Sequence, residues 1–171
     1  MTEPNTDLSD GFRIRPATAQ DMDRVGQIAR QAWQRIHDSF RKIMGEEMHA
    51  VLCANWEEQK EASIRGHFAR NPDWVHVVED AAGRVIAFLT FRIDREKFLG
   101  TITNNAVAPE AQGRGVGTKM YAHALDLFRK EGLKFASVGT GLDEGHAPAR
   151  KAYEKAGFDI ARPDVTYYKY L

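Results

Sequence analysis

The chain has 171 residues, 43% hydrophobic and 28% charged, enough for one domain with its own core and no disulfide or metal staple. Its 24 Lys and Arg balance 24 Asp and Glu, which removes the bulk positive field of a nucleic-acid binder and, with little colloidal repulsion, is compatible with a homodimer. A single cysteine, Cys53, excludes a disulfide framework or a cysteine-cluster metal site, and with no membrane-length apolar run and no apolar leader in residues 1–10, the expected protein is cytoplasmic and metal-free.

Residues 1–11 read as a polar disordered tail, followed by one domain over residues 12–171. Phe12 and Ile14 alternate as a short strand ending at Pro16. Thr18, with Asp21 three positions on, opens a helix. Its apolar face is Met22, Val25, Ile28, Ala29, Ala32, Trp33 and Ile36, and a break is expected after Ile36, where His37, Ser39 and Phe40 form a lip. A second helical pattern covers residues 45–68, interrupted near 57–60 and stopped by Asn71 and Pro72. Residues 74–78 and 84–92 form a hairpin across Gly83, and residues 101–108 a third strand. A helix over 118–130 stops at Gly132, a strand covers 135–140, and a helix covers 147–156. Residues 158–160 and 165–171 read as two last strands. The order implies an α/β (α+β) domain: one mixed, mostly antiparallel sheet of about six to seven strands with helices on both faces.

Chemistry concentrates in residues 106–118, a strand, a turn, a loop carrying Gly113, Gly115 and Gly117, and a helix start. Glycines without Cβ atoms let backbone N–H groups face outward, and the first helical turn adds unpaired donors and a positive dipole end. Together these make a phosphate site, with Arg114 as a mobile charge beside it. The G-x-G-x-G spacing is neither the dinucleotide fingerprint nor a Walker loop, which needs Gly-Lys-Ser/Thr where this chain has Gly117-Thr118-Lys119.

Gln112 to Gly117 matches the Q/R-x-x-G-x-G/A signature of the GNAT superfamily of N-acetyltransferases, preceded by Val107-Ala108-Pro109. Downstream, Ala149 to Phe158 resembles that family's A-x-x-x-Y-x-x-x-G-F motif. The resemblance implies transfer of an acetyl group from acetyl-CoA to a primary amine by direct attack in a ternary complex. It implies that the backbone of Gly113, Arg114, Gly115, Val116, Gly117 and Thr118, with the Gln112 side chain, holds the coenzyme A pyrophosphate. Asn105, Ala106 and Val107 would pair with the pantetheine arm as a strand does, with His146 and Ala149 nearby. The Val107 N–H would stabilise the oxyanion, and Tyr153 would protonate the leaving thiolate.

The chain departs from the pattern in two places. His146 stands where the family often has Asn. The strand before the loop carries Asn104 and Asn105 and no acid, so the base must come from elsewhere or act through water. Asp143, Glu144 and His146 are candidates, with Glu57 and Glu58 as alternatives. Trp33, Ile36, Phe40 and Asn104 are expected to line the site of a small-molecule or peptide amine. A non-catalytic acyl-CoA-binding domain is the competing reading. His49, His67, His76 and His123 show no metal-ligand spacing.

Overall fold

A computed structural model describes residues 6–8 and 11–171. Its six-stranded sheet has the order β1 (Thr6–Leu8), β2 (Phe12–Pro16), β3 (Val75–Glu79), β4 (Val85–Asp94), β5 (Leu99–Val107) and β6 (Phe135–Val138). The first five strands pair antiparallel, and β6 joins β5 in parallel. Helices α1 (Met22–Met44), α2 (Glu46–Leu52) and α3 (Trp56–Arg70) connect β2 to β3, α4 (Val116–Lys130) connects β5 to β6, and α5 (Ala147–Lys155) follows β6.

Apolar cores lie on both faces of the sheet. Met22, Val25, Ile28 and Ala29 of α1 and Ile64 of α3 pack on Val75, Val77 and Phe88. Met120, Tyr121, Ala124, Leu127 and Phe128 of α4 pack on Val78, Leu89, Phe91 and Ile102. Every β3 residue is buried, as expected of a strand covered on both sides. Gly100 on β5 is a packing requirement: a Cβ there would lie 2.4 Å from the Phe128 ring. The entry to α1 is pinned by charge. Arg15 donates to both Asp21 oxygens at 2.7 and 2.9 Å and to Glu79, which also accepts from Arg13, while Asp21 takes the Thr18 N–H at 2.7 Å. Burial raises the Asp21 and Glu79 carboxyls, but these bonds outweigh it and hold both below the ordinary range.

Four expectations need correction. Thr6–Leu8, inside the expected disordered tail, pairs with β2; the rest of residues 1–10 lies outside the described residues. Helix α1 does not break after Ile36, because no Gly or Pro stands between Ile36 and Gly45. The later helical pattern divides at residues 53–55 and not 57–60, where Asn55 adopts left-handed backbone (φ 54°) and redirects the chain into α3. The two strands expected after residue 157 do not form, so the count of six to seven does not stand as drawn. Ile160 (95% exposed) and Tyr167 (91%) have no layer to pack on, so their alternation buries nothing.

Candidate active site

Strands β5 and β6 pair only from Leu99 opposite Phe135 to Ile102 opposite Val138. β5 then runs on to Val107, while the chain after Val138 turns away through Gly139 and Gly141. The pair splays, and the β5 edge beyond Ile102 faces a cleft without a strand partner. A bulge between Leu89 and Phe91 re-aims the same stretch of β5. There the Thr90 hydroxyl accepts the Asn104 N–H at 3.0 Å and meets the Thr103 hydroxyl at 2.6 Å.

The glycine loop closes one end of the cleft. Gly113 and Gly115 have φ of +75° and +76°, backbone that side chains rarely adopt, and a Cβ at either would meet nothing within 4 Å. Gly115 caps α4 without a side chain, so the first-turn N–H groups of Val116, Gly117 and Thr118 have no acceptor inside the helix. This open, donor-lined concavity fits an anionic phosphate group. The Val116 side chain itself is buried in the core, so only its backbone can serve a ligand. Exposed Arg114 lies 4.8 Å over the Phe12 ring. Gln112 differs from expectation: its side-chain amide donates to the Val107 carbonyl at 3.1 Å, bracing the loop against β5.

On the α4 and α5 face, Asn105 joins two phenols. The Tyr121 hydroxyl donates to Asn105 Oδ1 at 2.8 Å, and Asn105 Nδ2 donates to the Tyr153 oxygen at 3.0 Å. Tyr153 is 7% exposed, and burial raises its pKa against the hydrogen bonds from Asn105 and Tyr121. The phenol therefore keeps its proton at neutral pH. Ala106 is buried toward the α1 face, and Ala149 packs half-buried against the α4 core.

At the start of α5, the helix that carries Tyr153, Asp143 Oδ2 and His146 Nδ1 lie 2.5 Å apart, and Asp143 Oδ1 accepts the Gly145 N–H at 2.9 Å. Burial raises the Asp143 carboxyl, but the bonds from His146, Ser39 and Gly145 hold it below the carboxylate range. Arg150 ties the loop down through the Gly141 and Asp143 carbonyls. A Cβ at Gly145 would lie 2.9 Å from the Ile36 Cα, so the turn packs directly on α1. Phe40 reaches His146 with ring centres 5.9 Å apart. Glu144 and Glu58 are exposed, and Glu57 stands on the first turn of α3.

Trp33 and Asn104 meet through a residue that the sequence reading missed. Half-buried Lys60 places its Nζ 4.3 Å over the Trp33 ring and 3.3 Å from Asn104 Oδ1. Desolvation lowers its pKa, and no carboxylate among the described residues pairs with it. Its only signal in the sequence was a helical offset of four from Trp56. The hydroxyl contact of Tyr121 with Asn105 likewise has no signal in the sequence and needed the fold.

The tertiary structure also gathers His37, His49 and Cys53, whose ligand atoms lie within 4.8 Å of one another. The absence of ligand spacing in the sequence therefore does not carry over to space. The first of these histidines, His37, has its pKa pushed down to about 4, chiefly by burial and by His49.

The model of the acetyltransferase (GNAT) family matches residues 31–158. A mycothiol acetyltransferase of Saccharomonospora viridis is 27% identical over 144 residues, 73% of this chain and 46% of that protein. The catalytic subunit NAA20 of the N-terminal acetyltransferase B complex of Arabidopsis thaliana is 30% identical over 104 residues, 60% of this chain and 59% of that protein. The chain thus spans about half the length of these curated relatives. The PaiA N-acetyltransferase of Thermoplasma acidophilum, solved in complex with coenzyme A, superposes with a TM-score of 0.71 at 17% identity, covering 90% of this chain and 92% of that one. The match over three quarters of the sequence, on a sheet that splays beside a glycine loop, makes this chain a member of the acetyltransferase (GNAT) family.

Proposed function

We propose that the protein transfers an acetyl group from acetyl-CoA to a primary amine by direct attack in a ternary complex. The observation that carries this reading is the open β5 edge, which runs from the Asn105–Tyr153 contact to the donor-lined loop at the start of α4. Acetyl-CoA supplies the activated thioester. The backbone N–H groups of Gly113 to Thr118 bind its pyrophosphate, and Arg114 adds charge. Asn105 to Val107 offer strand-like hydrogen bonds to the amides of the pantetheine arm. The Val107 N–H faces the developing oxyanion.

The acceptor nitrogen must first lose a proton. His146, oriented by Asp143, takes it from the ammonium form, which restores the nitrogen lone pair. As the C–N bond forms and the C–S bond breaks, the nitrogen sheds its second proton to water, Tyr153 gives its proton to the leaving sulfur, and the phenolate is then reprotonated from solvent. Lys60 supports an acceptor that carries a carboxylate or similar anion near its amine, because the half-buried ammonium has no acidic partner among the described residues. Small molecules and peptides both qualify.

Thiol release from acetyl-CoA across a panel of amines tests the reading. Turnover with at least one amine is expected. Tight coenzyme A binding with no turnover on any amine would favour an acyl-CoA-binding domain. Equal calorimetric affinity for pantetheine and desulfo-coenzyme A would refute the phosphate cradle.

A further inference from the structure

The corner between α1 and α2 holds a cluster that the proposed acetyl transfer does not use. His49 and Cys53 are four residues apart, at the end of α2 and its C-cap, which puts imidazole and thiol on one helical face. The turn at Gly45 folds α2 back, so that this face meets His37 of α1. Both histidines are buried, at 8% and 5% exposure, while Cys53 is half-exposed and leaves an entry path. Trp56 stacks on the His37 ring at 4.1 Å and 15°, and Phe40 meets its edge at 5.6 Å, so the ring is clamped.

We infer that His37, His49 and Cys53 form a binding site for a zinc-class divalent cation. His37 Nδ1 and His49 Nε2 lie 3.3 Å apart. Two nitrogens bound at about 2.0–2.1 Å to one tetrahedral ion are separated by about 3.3 Å. The cysteine sulfur stands within 4.8 Å of a nitrogen of each ring, and a side-chain adjustment of about 1 Å brings it to the longer reach of a metal–thiolate bond. Two imidazoles and a thiolate suit a borderline-soft ion, and the lack of a carboxylate in the set disfavours magnesium and calcium. Three protein ligands leave the fourth tetrahedral position for water.

The Cys53 thiol releases one proton. The single hydrogen between the two facing imidazole nitrogens moves to an outward ring nitrogen, so that both facing nitrogens donate lone pairs to the ion. The ion pins α2 against α1. Through Phe40, which touches both His37 and His146, it stiffens one wall of the cleft.

The test uses the full chain, freed of metal with a chelator and then titrated. Zinc is expected to bind at one ion per chain, release about one proton and raise the thermal midpoint. Cobalt(II) is expected to give a thiolate charge-transfer band, which can arise only from Cys53, the single cysteine. Cys53→Ser should abolish the band and weaken zinc at least tenfold, since even the loss of a group that only supports a ligand costs roughly 10–100-fold. His37→Gln and His49→Gln, each with a native circular dichroism spectrum, should weaken it similarly. Less than stoichiometric zinc at micromolar concentrations, no cobalt–thiolate band, or wild-type zinc affinity in both folded histidine variants would each overturn the site. If a histidine variant fails to fold, the Cys53→Ser comparison decides, since a zinc-induced midpoint shift equal to wild type in that variant also overturns it.

Discussion

Tyr153 and Asn105 face each other across 48 positions of sequence, and their contact separates chemistry from packing. Tyr153→Phe keeps the ring against Tyr121 and Phe158 and removes only the proton donor. Turnover should fall roughly 10²–10⁴-fold, the span of a lost general acid, with acetyl-CoA affinity nearly unchanged. Wild-type turnover under conditions where chemistry limits the rate would return Tyr153 to a packing role. At the start of α5, Asp143→Asn removes the carboxylate that orients His146 and should lower turnover and shift its pH profile; an unchanged profile would assign the base elsewhere. Lys60→Met keeps the stem beside Trp33 but removes the charge. It should raise KM tenfold or more for an amine bearing a carboxylate, and leave the matching carboxamide unaffected. Equal effects on the two would remove Lys60 from acceptor recognition.

At the scale of elements, the glycine loop and β5 make opposite demands on glycine. Gly115 needs left-handed backbone, whereas Gly100 needs empty space. Gly115→Val adds a side chain to the cradle and about 1–2 kcal/mol of backbone strain. Gly132→Val imposes similar strain at φ +74° beyond the far end of α4, also in open space, and is the control. Coenzyme A affinity should fall at least tenfold in the first and hold in the second, by calorimetry. A parallel loss in both would mean that strain, not the cradle, is read. Gly100→Ala drives a methyl into Phe128 and should cost about 1–3 kcal/mol by denaturant unfolding. The glycine motif was legible because phosphate-binding loops restrict local sequence. Gly100 was not, since its constraint comes from a helix that begins sixteen positions later.

Across the whole molecule, buried titratable groups set the acid response. Burial and His123 push His76 down to about 4, and burial lowers His67 as well. Their unfolded pKa values lie near 6.5. The unfolded chain therefore binds more protons below neutrality, and stability present above about pH 6.5 is lost toward pH 4. For His76 alone, 2% exposed, the loss reaches about 3 kcal/mol. Asp21 and Glu79, held low by Arg15, add a second loss as pH falls below about 4.5, the ordinary carboxylate range. The thermal midpoint should already decline between pH 7.5 and 5.5, then drop further by pH 3.5. A flat midpoint over the first interval would refute the buried-histidine contribution.

The sequence by itself determined what acts locally. Helical periodicity gave α1 and α4, the hairpin followed from Gly83, and Gln112 to Gly117 with the Tyr153 motif marked the family. Each depends on neighbours along the chain, where periodicity and turn chemistry are written directly. The tertiary structure decided what depends on convergence. It left the C-terminal alternation unpaired, because no sheet edge or apolar layer received Ile160 or Tyr167. It set Lys60 between Trp33 and Asn104, joined Asn105 to Tyr121 and Tyr153, and gathered His37, His49 and Cys53. Such groups are brought together by the packing of separate helices and strands, and no spacing within one segment encodes the distance between two others.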